Sequence, residues 1–173
     1  LKMVTELLDF QKVEQSAEQV RLQDIELPML LRVQLEKFVL AAQEKHIQLC
    51  IETCPQQQIH SDVKMMDLIL ENLLSNAIKY TPQGGKVTLS ASVEGKMAMI
   101  HVCDTGIGIP KAEIKSIFKT FFRASNAINS QEMGSGLGLM LTRKLVEKLG
   151  GKLSFVSEEG KGTTFCVKVP LGN

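Results

Sequence analysis

Asp104-Thr-Gly-Ile-Gly-Ile-Pro110 and Gly134-Ser-Gly-Leu-Gly-Leu139 are two glycine-dense loops on one chain, and few folds can make use of such a pair. Glycine admits positive φ and lets a ligand or another backbone come close, so each loop belongs where something is held against the main chain. The first loop closes an alternating run, Met97 to Cys103, that reads as a strand. The second runs into Leu137, Leu141, Leu145 and Leu149, a helical period, so its free amides lie at a helix N-terminus where anionic phosphate is favoured. Asp104 puts a carboxylate beside the first loop, where it can accept from an exocyclic amine such as that of adenine. The fold must therefore bring a strand end and a helix start together, one reading base and the other phosphate.

Composition narrows the setting. At 173 residues and 44% hydrophobic content the chain can bury one substantial core without disulfides or a structural metal. Twenty basic against 19 acidic residues give a net charge of +1, which supplies no electrostatic footprint for nucleic acid. Cys50, Cys54, Cys103 and Cys166 form no CxxC pair and sit among strand-like neighbours, so reduced thiols in a cytoplasmic protein are expected. No apolar run reaches membrane-spanning length, and the N-terminus carries no signal-peptide pattern.

Along the chain, Met3, Val4, Leu7, Leu8, Phe10 and Val13 make a helical stripe over residues 1–19 that wants a partner helix. A short strand is expected over 21–27, a helix from Pro28 to Lys45 and His46, a strand over 47–52 and a turn over 55–58. Ser61 or Asp62 can cap the next helix, 62–80, whose Met66, Ile69, Leu70, Leu73, Leu74 and Ala77 form a wide apolar face. Residues 86–93 and 97–103 read as a hairpin, and 152–156 with 163–169 as another. Between them lie a helix over 136–149 and the polar stretch from Pro110 to Met133. That stretch, broken by Ile117, Phe118, Phe121 and Phe122, is too long for an ordinary connection and is a candidate lid.

On the helix over 62–80, Asn72, Asn76 and Lys79 stand at i, i+4 and i+7, on the border between the apolar face and solvent. Neutral amide oxygens can hold Mg²⁺ beside a polyphosphate, and a lysine adds a point charge. Taken alone, this spacing equally describes a solvated helix edge, and Asp104 before glycine equally describes a simple turn. The second loop does not fit G-x-G-x-x-G, because position 139 is leucine, and neither Gly84-Gly-Lys86 nor Gly160-Lys-Gly162 fits a phosphate loop of the G-x-x-x-x-G-K-[ST] kind. Any nucleotide is held in some other way.

The ordered set resembles the ATP-binding catalytic domain of bacterial sensor histidine kinases. Glu71-Asn-Leu-Leu-Ser-Asn-Ala-Ile-Lys-Tyr-Thr81 looks like that family's N box, Asp104 to Pro110 its first glycine box, Ile117 to Arg123 its F box and Gly134 to Leu139 its second glycine box. Gly160-Lys-Gly-Thr163 completes the pattern. The resemblance covers about residues 20–171, and Leu7 to Glu14 looks like the tail of the second helix of the dimerisation and phosphoacceptor hairpin. The implied division is 1–19 as hairpin tail and 20–173 as catalytic domain.

The resemblance implies a two-layer α/β sandwich of Bergerat type, a mixed, mostly antiparallel sheet backed by about three helices, with a long ATP lid. By position it implies that Asp104 accepts the adenine amine and that Asn76, with Asn72, holds Mg²⁺. Lys79 and Tyr80 would meet phosphate and ribose or base; Gly106, Gly108 and Ile109 would line the base loop. Phe122 and Arg123 belong to the F box, with Arg123 approaching the γ-phosphate or the docked hairpin. Gly134, Ser135, Gly136, Leu137, Gly138 and Leu139 would cradle phosphate, and Thr163 would support Asp104.

The implied activity is that of a histidine protein kinase, a transferase that moves the γ-phosphoryl of ATP to a hairpin histidine and on to a receiver-domain aspartate of a response regulator. The hairpin would belong to the same parent, a homodimer that can be anchored in the inner membrane although this fragment is not inserted. His46, His60 and His101 are not expected to be the acceptor. Relatives that hydrolyse ATP place a glutamate one helical turn before the first asparagine, where this chain has Leu68; Glu71 is expected to point about 100° away around the helix. The rival readings are a nucleotide-binding switch without phosphotransfer and a serine kinase of the anti-sigma type, the latter disfavoured by the leading helix.

Overall fold

The structure, a computed structural model, describes residues 20–129 and 134–172. The helical stripe and domain boundary expected over residues 1–19, and the end of the expected lid at 130–133, lie outside the described residues. In chain order the elements are β1 Gln23–Glu26, α1 Leu27–Glu44, β2 Gln48–Thr53, β3 Gln58–Ser61, α2 Val63–Tyr80, β4 Lys86–Glu94 and β5 Met97–Asp104. A 3-10 turn at Ile114–Ser116, α3 Ser125–Asn129, α4 Gly138–Lys148, β6 Lys152–Glu158 and β7 Gly162–Pro170 follow.

Five strands make one mixed sheet in the order β2-β4-β5-β7-β6, with β2 parallel to β4 and every other pair antiparallel. The β2–β4 register shifts between Ile51 and Thr53. β1 and β3 form a separate two-stranded sheet. The β3 half is invisible in the sequence pattern, because four residues following a proline turn are too few to show an alternation.

Helices α1, α2 and α4 pack on one face of the large sheet. β5 shows why that face is the core: its residues alternate half-buried and buried without interruption. Ala98, Ile100, Val102 and finally Asp104 are the inward set, so the alternation itself delivers a carboxylate into the helix layer at the strand's end. α2 buries Met66, Ile69, Leu70, Leu73, Leu74 and Ala77 as its apolar period requires.

Both ends of α2 are fixed. Asp62, not Ser61, is the N-cap, its Oδ1 accepting from the Met65 amide at 3.1 Å while Oδ2 accepts from the Arg21 amide at 2.9 Å. At the other end Lys45 of the α1–β2 turn donates to the carbonyls of Ile78 at 3.2 Å and Lys79 at 2.5 Å, a cation on the last-turn carbonyls of the helix. His46 closes α1 with φ of 53°, and His60 pairs with Asp24 at 2.8 Å across the small sheet. All four cysteines are free, and no helix among the described residues is long and apolar enough to cross a membrane.

Candidate functional site

Every residue assigned to the nucleotide site from the sequence, except Gly106, lines one cavity of about 730 Å³ between α2, the β5 end, α4 and the segment that joins the two glycine loops. Gly106 sits behind the wall, its amide donating to Asp104 Oδ1 at 2.8 Å. The Thr163 amide donates to the same oxygen at 3.2 Å from the paired position on β7. Oδ2 has no hydrogen bond among the described residues. Asp104 is 9% exposed, and burial lifts its pKa from 3.8 to about 6, with the two amides pulling the other way. The support expected from Thr163 therefore comes through its backbone; its hydroxyl is turned to Ser157 Oγ at 2.8 Å.

The loop after Asp104 is held by the scaffold on two sides. The Ile107 amide donates to the Tyr80 carbonyl at 3.1 Å, and the Ile109 amide to Ser157 Oγ at 2.9 Å. Gly108, at φ of 63°, lies so close to the Glu158 carbonyl that a Cβ would overlap it. Also on the cavity wall, Lys79 Nζ stands 4.8 Å from the centre of the Tyr80 ring. A Cβ at Gly134 would lie 2.7 Å from Lys79 Nζ, 3.7 Å from the Tyr80 hydroxyl and 3.9 Å from Arg123 Nε, so two cations and a hydroxyl converge on that glycine.

α4 begins at Gly138, two residues later than its expected start, because Gly136 takes φ of 73° and packs on the Phe121–Phe122 backbone. The Leu137 amide donates to Ser135 Oγ at 3.2 Å. Leu139 and Phe122 are half-buried against the core. The two asparagines differ. Asn72 Nδ2 donates to Thr142 Oγ1 at 2.6 Å and its oxygen lies where a Cβ of Gly138 would be. Asn76 is half-buried on the cavity wall and its side chain makes no hydrogen bond among the described residues.

Glu71 is among the residues that line the cavity, and its carboxylate is engaged by Lys37 of α1 at 2.5 Å. Within the candidate lid, as far as residue 129, Ile117 and Ala127 are buried and Phe118 meets Phe155 edge-on at 5.7 Å. Leu68, at the position where hydrolysing relatives carry glutamate, does line the cavity. Sequence reasoning missed Thr142, Ser157 and Asn126. Of these, Ser157 had a signal, since it faces Thr163 once β6 is extended one residue past the expected end at Val156.

A strand-end carboxylate, an asparagine helix and a glycine-rich helix start around one cavity define an ATP-binding module. The chain belongs to the histidine kinase-, DNA gyrase B- and HSP90-like ATPase family, which it matches over residues 61–173. The sensor histidine kinase WalK of Bacillus subtilis is 32% identical over 174 residues, 98% of this chain and 28% of that protein. The circadian input-output histidine kinase CikA of Synechococcus elongatus is 35% identical over 173 residues, 98% of this chain and 23% of that protein. Full-length ShkA, solved in complex with AMPPNP, matches at a TM-score of 0.87 and 29% identity over 99% of this chain and 36% of that one. The nucleotide-free catalytic domain of the histidine kinase ThkA matches at 0.76 and 28% over 87% of this chain and 95% of that one. The chain thus spans about a quarter of the length of these two curated relatives.

Proposed function

We propose that this chain binds Mg-ATP and donates the γ-phosphoryl group to a histidine on a hairpin domain of the same, longer protein, for onward transfer to an aspartate of a response regulator. The observation that carries this reading is the pairing of an acceptor and cations on one cavity wall. The wall presents Asp104, with Oδ1 fixed by two amides and Oδ2 unpaired, together with Lys79, Tyr80 and Arg123 gathered around Gly134. A ligand that carries both an amine and negative charge is what such a wall recognises. Asp104 would orient the base, and Lys79 with Arg123 would neutralise charge as the bond from phosphorus to the ADP oxygen breaks and that to the imidazole nitrogen forms.

The site fits Mg²⁺ as a substrate-borne cation. Among the described residues no three His, Cys, Asp or Glu side chains gather into a metal cage, whereas Asn76 offers an unengaged amide and Asn72 an oxygen whose amide partner is already placed on Thr142. When held by Asn76 and Asn72, the ion would offset the negative charge of the phosphates. Leu68 in place of a carboxylate argues for slow hydrolysis, which suits a domain that hands phosphate to a protein rather than to water. By the same reading the parent is a homodimer working in the cytoplasm, with or without an inner-membrane anchor.

The test is transfer of label from γ-labelled ATP to an added hairpin domain carrying its histidine. Label on the hairpin supports the kinase; tight ATP binding with none transferred favours the nucleotide switch. Asn76→Asp should shift the Mg²⁺ concentration needed for half-maximal transfer by about tenfold while changing metal-free ATP affinity less. An unchanged metal titration would count against Asn76 as a ligand.

A further inference from the structure

The loop carrying Ile107, Gly108 and Ile109 has a fixed clamp from Tyr80, another from Ser157 and a third from Gly160, whose amide donates to the Ile107 carbonyl at 2.8 Å. A fourth comes from the segment between the glycine loops. Asn126, second residue of α3, donates from Nδ2 to the carbonyl of Gly108 at 3.0 Å and of Ile107 at 3.4 Å. Carbonyls only accept, so the amide nitrogen must face them and Oδ1 is turned away. That oxygen is sealed from solvent with no hydrogen-bond partner among the described residues.

These terms oppose one another. The two donated bonds favour the docked position of α3 and the one unpaired acceptor disfavours it; bond and penalty being of the same order, Asn126 favours docking by about the worth of one hydrogen bond. α3 is a five-residue helix whose Ile128 is 56% exposed; Ala127 is buried and its carbonyl accepts from Arg123 Nη2 at 3.2 Å, and the Ser125 amide donates to Glu113 at 2.9 Å. A margin that small at Asn126, which itself lines the cavity, is one that a bound ligand can shift.

We infer that Asn126 is a positioning residue that latches α3 onto the adenine-side loop and sets the rate at which nucleotide leaves. This rests on the nucleotide reading of the cavity proposed above. The experiment is stopped-flow displacement of a fluorescent ATP analogue from the 173-residue protein and its Asn126→Ala, Asn126→Asp and Asn126→Gln variants, each with a melting curve. Loss of the latch should raise the release rate about two- to tenfold in the alanine variant. Asp should be at least as damaging, because it turns an oxygen toward two carbonyls, while Gln keeps an amide donor and should stay nearer the parent. A packing role predicts the reverse, with the isosteric Asp mildest; that order, or release at the parent rate in all three, overturns the latch. Should Ala or Asp fail to fold, the Gln variant decides, since a release rate above that of a folded Ala or Asp variant, or more than tenfold above the parent, contradicts a donor role. If the parent itself holds no nucleotide the cavity reading fails and takes the latch with it, whereas a binding parent with indifferent variants sinks the latch alone.

Discussion

Asp104→Asn will bind ATP at least about a hundredfold more weakly than the parent and yet melt at a higher temperature at pH 8. Both halves follow from the two amides on Oδ1, from Gly106 at 2.8 Å and Thr163 at 3.2 Å. The asparagine oxygen must stay with those donors, so its NH₂ group takes the place of Oδ2 and meets the adenine amine donor to donor. The stability gain comes from removing a buried charge. With a pKa of about 6 in the fold against an ordinary 3.8, the native state binds a proton between those values that the unfolded chain does not. Stability from this group therefore rises as pH falls through that window and is lost above it, a difference of roughly 3 kcal/mol. The variant should exceed the parent above pH 6 and converge on it near pH 4, and ATP affinity of the parent should weaken as Asp104 protonates below about pH 6. Calorimetry and melting curves across pH check both; an affinity within threefold of the parent would remove Asp104 from the base site.

Gly162→Ala should cost roughly 3 kcal/mol or more and lower the melting temperature by about 6–12 °C. Gly162 has φ of 122°, and a Cβ there would overlap the carbonyl oxygen of Asp104 across the β5–β7 pair. Its own carbonyl accepts from Ser157 Oγ at 3.1 Å, so it cannot simply swing away. Gly160, two residues earlier, is the internal control. It has φ of 77° but nothing within 4 Å of its absent side chain, so Gly160→Ala should cost only about 1 kcal/mol. Equal melting temperatures for the two variants would refute the steric account. Because the displaced atom belongs to Asp104, Gly162→Ala should also weaken ATP binding, which Gly160→Ala should leave near the parent value.

What could be read before folding was whatever repeats locally. The alternation of β5 ends on Asp104, and the α2 period sets Asn72 and Asn76 at the margin of its buried stripe, so both could be placed from spacing, while only the ordered set of motifs marked them as walls of one site. Thr142 was not, because its partner Asn72 lies 70 positions away and nothing along α4 announces it. Asn126 sits in a polar stretch without a period, and its contacts with Ile107 and Gly108 exist only once the two glycine loops have been brought together. The late start of α4 escaped because a pattern of leucines shows which face is buried but not where the backbone leaves helical angles at Gly136.

The large sheet ends in β2 on one side and β6 on the other, and neither rim is an inviting template. β2 is broken by the shift between Ile51 and Thr53 and presents Glu52, already paired with Lys86 at 2.7 Å; β6 presents Ser154 and the exposed Val156 between Lys152 and Glu158. A stray strand seeking to add itself would meet an interrupted hydrogen-bond ladder at one border and a charge at each end of the other. Copies crowded together should therefore remain separate particles instead of zipping edge to edge.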